Sequence, residues 1–231
     1  MKKIGLLGGM SWVSTIDYYR LINEGINEKL GGLQFAECII YSLNFADIHQ
    51  NGWEHSFELL KRGCEKLKLG GAEAIVLCAN TAHLYADKLQ NEIKLPIIHI
   101  VSSTAEEILK YGLKKVALLG TKYTMEMGFY QQKLQEYGID VIVPASMDER
   151  AFIQQTLRDE LGKGIVKQET KKKYISMITR LLREGAQGIV LGCTEIPLLM
   201  NQEDFSVPVF DTTSIHANAI VKFALSSYEG I

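Results

Sequence analysis

The chain has 231 residues, with 25 basic against 27 acidic side chains for a formal charge of −2, and is 47% hydrophobic and 9% aromatic. That balance offers no basic face to a phosphate backbone or an anionic bilayer, and its apolar content predicts a globular core instead of disorder. No stretch reaches the roughly 18 apolar residues of a membrane span, and the apolar run after Lys2 and Lys3 breaks at Gly8 and Gly9 before a signal-peptide core can form, so the expectation is a cytoplasmic protein with neither nucleic acid nor membrane as partner.

In chain order, the apolar run IGLL predicts a strand and residues 15–29 a helix; ECIIYS predicts a second strand, followed by a helix over 54–69. AIVL then precedes a helix over 81–93, and PIIHI a helix over 103–111. The same succession returns as VALLG, a helix over 125–137, DVIV, helices over 147–161 and 169–183, GIVLG and PVFD, with a last helix over 213–226. Strand–helix alternation predicts an α/β protein with parallel sheets flanked by helices.

The halves also repeat in sequence. KKIGLLGG from Lys2 recurs 112 residues later as KKVALLGT, and GAEAIVLCANT from Gly71 recurs 114 residues later as GAQGIVLGCTE. Two pseudosymmetric lobes are expected, one of residues 1–101 plus 210–231 and the other of 102–209, with a cleft between them. Ligands of open parallel sheets sit beyond the carboxyl ends of the strands. There the sequence places the loops GGMS, CANT, GTKYT and GCTE.

Four cysteines without C-x-x-C or paired Cys/His spacing predict free thiols, neither a disulfide framework nor a zinc site. Cys38 and Cys64 fall inside a strand and a helix and read as packing. Cys78 and Cys193 fall at strand ends ahead of expected helices, where a helix dipole and unpaired amides would favour thiolate. Beside them, Asn80, Thr81 and Thr194 offer amides and hydroxyls to a ligand carboxylate, or caps to the helices. Thr121 and Thr124 pose the same choice, and His83 reads as structural. Gly5 to Met10 spaces its glycines G-x-x-G-G, which excludes a dinucleotide fingerprint and leaves a tight turn or close backbone approach to a small ligand.

The GGMSW start, the C-x-N-T-A-H and G-C-T-E segments and the closing DTT-x-IHA together resemble the aspartate/glutamate racemase superfamily, in particular its aspartate racemase and broad-specificity amino-acid racemase branch, over essentially the whole chain. The resemblance implies an amino-acid substrate, frequent homodimers, and inversion at Cα by two cysteines without pyridoxal phosphate or other cofactor. It also implies a departure here. The family's first thiol directly precedes Asn-Thr, where this chain has Ala79, with Cys78 one step earlier; a one-residue slip turns a strand side chain to the other face. Acid-specific relatives carry a basic residue after the second strand and a lysine following the glycine of an E-L-x-x-G-K segment; here residues 44–51 hold no Arg or Lys, and Ile165 stands where the lysine is expected. Gln50 and Lys163 are the substitutes.

The expected enzyme is a cofactor-independent amino-acid racemase for aspartate, glutamate or a broader set. Cys193 works on one face of Cα and Cys78 on the other, Asn80, Thr81 and Thr194 hold the α-carboxylate, and Met10, Gln50, Ala79, Thr121, Thr124 and Lys163 shape the rest. The alternatives are a one-cysteine isomerase or decarboxylase of a small dicarboxylate, and an inactive amino-acid-binding homologue.

Overall fold

Apolar runs too short for a stable helix must pair their amides laterally, whereas the longer amphipathic stretches pair theirs internally. The computed structural model describes residues 1–228 and divides into two compact units, one of Met1–Ile100 with the C-terminal stretch from Thr213, the other of Val101–Thr212. The chain therefore passes between units twice, at 100/101 and 212/213.

Before the first crossing come β1 (Ile4–Gly8), α1 (Trp12–Leu30), β2 (Cys38–Ser42), α2 (Phe45–Asn51), α3 (Phe57–Leu69), β3 (Ala74–Leu77) and α4 (Ala86–Ile93). Helix α5 (Ile100–Lys110) carries the chain across. It leads to β4 (Lys115–Gly120), α6 (Lys122–Glu126), α7 (Phe129–Gln135), β5 (Asp140–Ile142), α8 (Met147–Asp159), α9 (Gln168–Arg183), β6 (Gly188–Gly192) and β7 (Val209–Asp211). Helix α10 (Thr212–Leu225) makes the return.

In the first unit the sheet runs β2-β1-β3, all parallel, with β1 central and buried at every residue. Its even-numbered side chains, Ile4 and Leu6, join Val76 on the neighbouring strand and meet Tyr18, Ile22 and Ile26 of α1 and Ala217, Ile220, Val221 and Ala224 of α10. Each such large side chain withdrawn from water contributes about 1.5–3 kcal/mol. In the second unit the sheet runs β5-β4-β6-β7, again parallel, and Leu119, Ile189 and Leu191 pack with Ile153, Leu157, Tyr174 and Ile178 of α8 and α9.

The repeat is visible in how each central strand ends. A Cβ on Gly8 would collide with the Thr15 side chain, and one on Gly120 would come within 3.0 Å of the Thr124 methyl, so each following helix lies directly on its strand's last residue. Gly9 adds a positive φ of 83° and donates its N–H to Thr15 Oγ1 at 2.9 Å. The tight-turn reading of this loop therefore has its partner in hand.

Four local expectations change. PIIHI forms a single bridge, Ile75 with Ile97, because the Ile98 carbonyl is taken by His216 Nε2 at 2.7 Å and Ile100 already begins α5. Residues 81–93 divide into a 3-10 turn, Thr81–Tyr85, and α4. Residues 125–137 divide into α6 and α7 at Gly128, whose φ of 77° no helix can hold. Helix α2 arises where the sequence suggested only a loop, capped by the Asn44 side chain accepting from Ala46 N–H. No helix among the described residues is long and apolar enough to cross a membrane.

Candidate functional site

The polar cluster of the second unit is built from four consecutive residues at the carboxyl end of β6. Gly192 closes the strand against β4, where a Cβ would lie 3.0 Å from the Leu119 carbonyl, and the chain then turns so sharply that Cys193, Thr194 and Glu195 bring their side chains to one point. Cys193 Sγ–H donates to Glu195 Oε2 at 2.9 Å, and Thr194 Oγ1–H donates to the same oxygen at 2.7 Å. The thiol is partly exposed and leans on the apolar cluster around Tyr174.

The expected helix is missing. A three-residue 3-10 turn, Ile196–Leu198 with Pro197 inside it, succeeds Cys193 and supplies no macrodipole. The electrostatics are correspondingly opposite to the expectation. Desolvation and the Glu195 carboxylate push the thiol well above its usual pKa, against the smaller opposing effect of the Thr194 and Glu195 amides. At neutral pH this is a protonated thiol whose hydrogen already points at a carboxylate. Glu195 is the polar partner of the thiol that sequence reasoning passed over, although its place two residues after a strand-end thiol was visible in GCTE.

The corresponding loop in the first unit is built differently. Cys78 continues the β3 ladder, its N–H donating to the Leu7 carbonyl at 3.0 Å, so it keeps the parity of Val76. It lies at 1% exposure among Ile4, Leu6, Tyr18 and Ala217. Burial drives its thiol pKa upward, away from thiolate. This environment opposes the second acid/base role expected of Cys78: its thiol is a core side chain with no carboxylate to take its proton. At the next residue, Ala79 is partly exposed as Cys193 is, while Cys78 and its repeat counterpart Gly192 are both buried. The two halves thus agree that the side chain matching Cys193 belongs to Ala79.

Asn80 and Thr81 are buried at the start of the 3-10 turn. His83 Nδ1–H donates to the Ala79 carbonyl at 3.0 Å and its Nε2 accepts from Ile100 N–H at 3.2 Å. Beside it, His216 Nε2–H donates to the Ile98 carbonyl and its Nδ1 accepts from Tyr18 at 2.8 Å. A carbonyl can only accept, so His83 carries its proton on Nδ1 and His216 on Nε2, and the Ile100 N–H on its other nitrogen makes His83 neutral. Burial holds His83 down to about 4 and His216 to about 3. The structural reading of His83 stands on these bonds.

The remaining expected site residues are dispersed. Met10 is buried in the loop after β1. Thr121 caps α6, its Oγ1 accepting from Thr124 N–H at 3.2 Å and lying 3.1 Å from Thr124 Oγ1, which is fully buried. Gln50 is exposed on α2. Lys163 is exposed on a 3-10 turn, where its charge adds only slightly to the Arg158 hydrogen bond that holds Asp159 low. Cys38 and Cys64 pack as expected, the latter pushed up to about 12 by burial. Among the described residues no group of three or more His, Cys, Asp or Glu side chains is placed to hold a metal.

Known proteins match this chain over nearly its whole length. A broad-specificity amino-acid racemase of Bacillus subtilis, RacX, is 27% identical over 96% of this chain and 98% of its own length. Among solved structures, a Yersinia pestis chain provisionally assigned to the Asp/Glu racemases is 46% identical with a TM-score of 0.91, covering 97% of this chain and 100% of that one. An aspartate racemase homologue from Pyrococcus horikoshii is 41% identical with a TM-score of 0.85, covering 97% and 99%. The family model described as Asp/Glu/Hydantoin racemase matches residues 7–220, and with that match the chain belongs to the Asp/Glu/hydantoin racemase family.

Proposed function

We propose that the protein is a cofactor-independent amino-acid racemase in which Cys193 carries the proton to and from one face of Cα. The observation that carries this reading is the Sγ–H to Glu195 Oε2 bond of 2.9 Å, reinforced by Thr194 on the same oxygen. A thiol raised by burial is a poor base by itself, but a carboxylate on its hydrogen supplies the missing acceptor. Glu195 takes the Sγ proton, the thiolate removes the α-proton, and a water molecule on the opposite face protonates the carbanion to give the inverted centre, its hydroxide taking back the proton held by Glu195. The reverse transfer returns the proton from Sγ. Thr194 fixes the carboxylate lone pair so that the other remains open to the thiol.

Family membership supports an acidic substrate, and RacX supports a broader set. With no Arg or Lys in residues 44–51 and Lys163 on an exposed turn, we favour the broader set. Asn80 and Thr81 enter the proposal as donors to the α-carboxylate; Thr194, expected to share that task, has its hydroxyl proton committed to Glu195. The purified enzyme, incubated with single amino acids in deuterium oxide, should incorporate deuterium at Cα while chirality decays; Cys193→Ala should do neither, and retained exchange in that variant would remove Cys193 from the mechanism.

Ala79 favours a second reading in which Cys193 is the sole thiol base. Exchange at Cα would then proceed faster than loss of chirality, because the proton returns to the face it left. Equal rates of exchange and inversion would exclude it.

A further inference from the structure

The loop that follows β3 leaves the sheet at once. Cys78 N–H makes the last ladder bond, to the Leu7 carbonyl, and Asn80 and Thr81, the proposed carboxylate donors, lie just past it. The counterpart loop of the second unit, residues 193–195, holds its shape through its own side chains and through Ile196 N–H, which donates to the Cys193 carbonyl at 3.2 Å. The equivalent carbonyl in the first unit, that of Ala79, is held by a side chain instead: His83 Nδ1–H donates to it at 3.0 Å. At the repeat offset of 114 residues, His83 stands opposite Pro197. One copy of the turn is stiffened by a pyrrolidine ring, the other by an imidazole bonded on both sides.

The far side of the His83 ring is braced. Its Nε2 accepts from Ile100 N–H at 3.2 Å, and the segment carrying Ile100 is itself tied to β3: Ile75 N–H donates to the Pro96 carbonyl at 2.9 Å, and Ile98 N–H to the Ile75 carbonyl at 3.0 Å. His216 Nε2–H donates to the Ile98 carbonyl at 2.7 Å, and its ring meets His83 edge-on with centroids 5.5 Å apart. The His99 ring lies against His83 as well, at 4.9 Å. Buried in this way, His83 has no water to turn to. A neutral imidazole carries one donor and one acceptor on a rigid ring, so it pins a loop to a fixed neighbour in a single orientation.

Peptide planarity carries these bonds onward to the ligand donors. With the Ala79 carbonyl turned to the ring, the Asn80 N–H of the same trans peptide points the opposite way. The next plane is set likewise: the Asn80 carbonyl accepts from His83 N–H at 3.1 Å, which turns Thr81 N–H away. One residue thus fixes both peptide planes from which Asn80 and Thr81 project. We propose that His83 is a positioning residue, holding loop 79–81 in the conformation that receives the substrate's α-carboxylate. This rests on the part given above to Asn80 and Thr81, and not on the proton transfer assigned to Cys193.

Two substitutions divide the ring's bonds. His83→Asn puts an amide N–H in the place of Nδ1–H and keeps the Ala79 bond; His83→Gln reaches Ile100 N–H with its amide oxygen and loses the Ala79 bond. Both should lower the urea midpoint. With L-aspartate, L-methionine and L-lysine as probes, His83→Gln should raise KM about tenfold and leave kcat within about twofold, whereas His83→Asn should stay within about twofold of wild type in both. The rise should be the same for every probe turned over, because all share the α-carboxylate. Calorimetric binding of the probes to the Cys193→Ala protein, with and without His83→Gln, should give the same ratio in the absence of turnover. In the unsubstituted chain, the His83 Nδ1–H signal in proton NMR should shift when a probe saturates the site. A His83→Gln protein that is less stable yet binds and turns over as wild type would overturn the proposal. So would a His83→Asn protein as weak as His83→Gln, or an unmoved signal. If the wild type turns over none of the probes, the Cys193 reading falls and the calorimetric ratio alone decides His83; if none binds either, both fall.

Discussion

Replacing Glu195 by Gln removes one negative charge 2.9 Å from Sγ of Cys193 while keeping the side chain's size. Two unit charges about 4 Å apart interact by about 4 kcal/mol at an effective dielectric of 20. The cluster is partly open to solvent, which screens such interactions strongly, so about 1–2 kcal/mol is the expected loss. At 1.36 kcal/mol per pKa unit this lowers the thiol by about one unit. The sign is the informative part. Thiolate becomes about tenfold more abundant below the pKa, and after allowance for the weaker nucleophilicity of a more acidic thiol, Cys193 should react with a disulfide reagent about threefold faster. Deuterium incorporation at Cα should move the other way, falling by about 10²–10⁴-fold, because the proton acceptor is gone. Reactivity followed by mass spectrometry of the Cys193 peptide, beside exchange followed by proton NMR, separates the two quantities. A variant whose thiol slows, or whose exchange persists at the wild-type rate, would refute the coupling of Glu195 to Cys193.

Cys78→Ser places a hydroxyl in the apolar cluster around Leu6 and Tyr18 and should destabilise the protein by about 1–3 kcal/mol in urea unfolding, with Cα exchange unchanged. Gly8→Ala drives a methyl into Thr15 and should cost about 1–3 kcal/mol; a melting temperature equal to wild type would show that α1 can withdraw from β1. Stability should also fall on acidification. His83 and His216 refuse protons until about pH 4 and 3, whereas the unfolded chain takes them up near 6.5. The unfolded state therefore binds more protons throughout that window, and each ring removes up to about 1.4 kcal/mol per pH unit as pH drops from 6.5 toward its folded value. Urea midpoints at pH 7 and pH 5 test this, and His216→Asn should flatten the slope.

The repeat made most of the architecture legible, because short continuous apolar runs and their duplicated glycines encode both sheets and the helix that lies on each central strand. The repeat offset between Cys78 and Cys193 made a change of strand face at Cys78 visible, yet Cys78 was still expected on the substrate, whereas the structure buries it among Ile4, Leu6 and Tyr18. The turn beyond Cys193 was not legible, since Ile196 to Met200 has the apolar content of a helix, and only Pro197 and the burial of Leu199 and Met200 shape it into a 3-10 turn. Glu195 escaped notice for a related reason. Its role depends on a backbone turn tight enough to fold a side chain back onto one two residues earlier, and composition does not report that. Lys163 and Gln50 were chosen by their charge and polarity alone, and the backbone sets both on exposed turns of their elements.

The discontinuous make-up of the first unit has a consequence for biosynthesis. Residues 101–212 form an uninterrupted stretch, so a ribosome-bound chain can complete that half as soon as it emerges. The earlier-made half must wait: Ile4, Leu6 and Val76 have α1 to pack on but lack the rest of their cluster until Ala217, Ile220 and Val221 leave the exit tunnel. The portion translated first is thus the last to close, and throughout synthesis it offers an oily strand surface to whatever chaperone attends the nascent polypeptide.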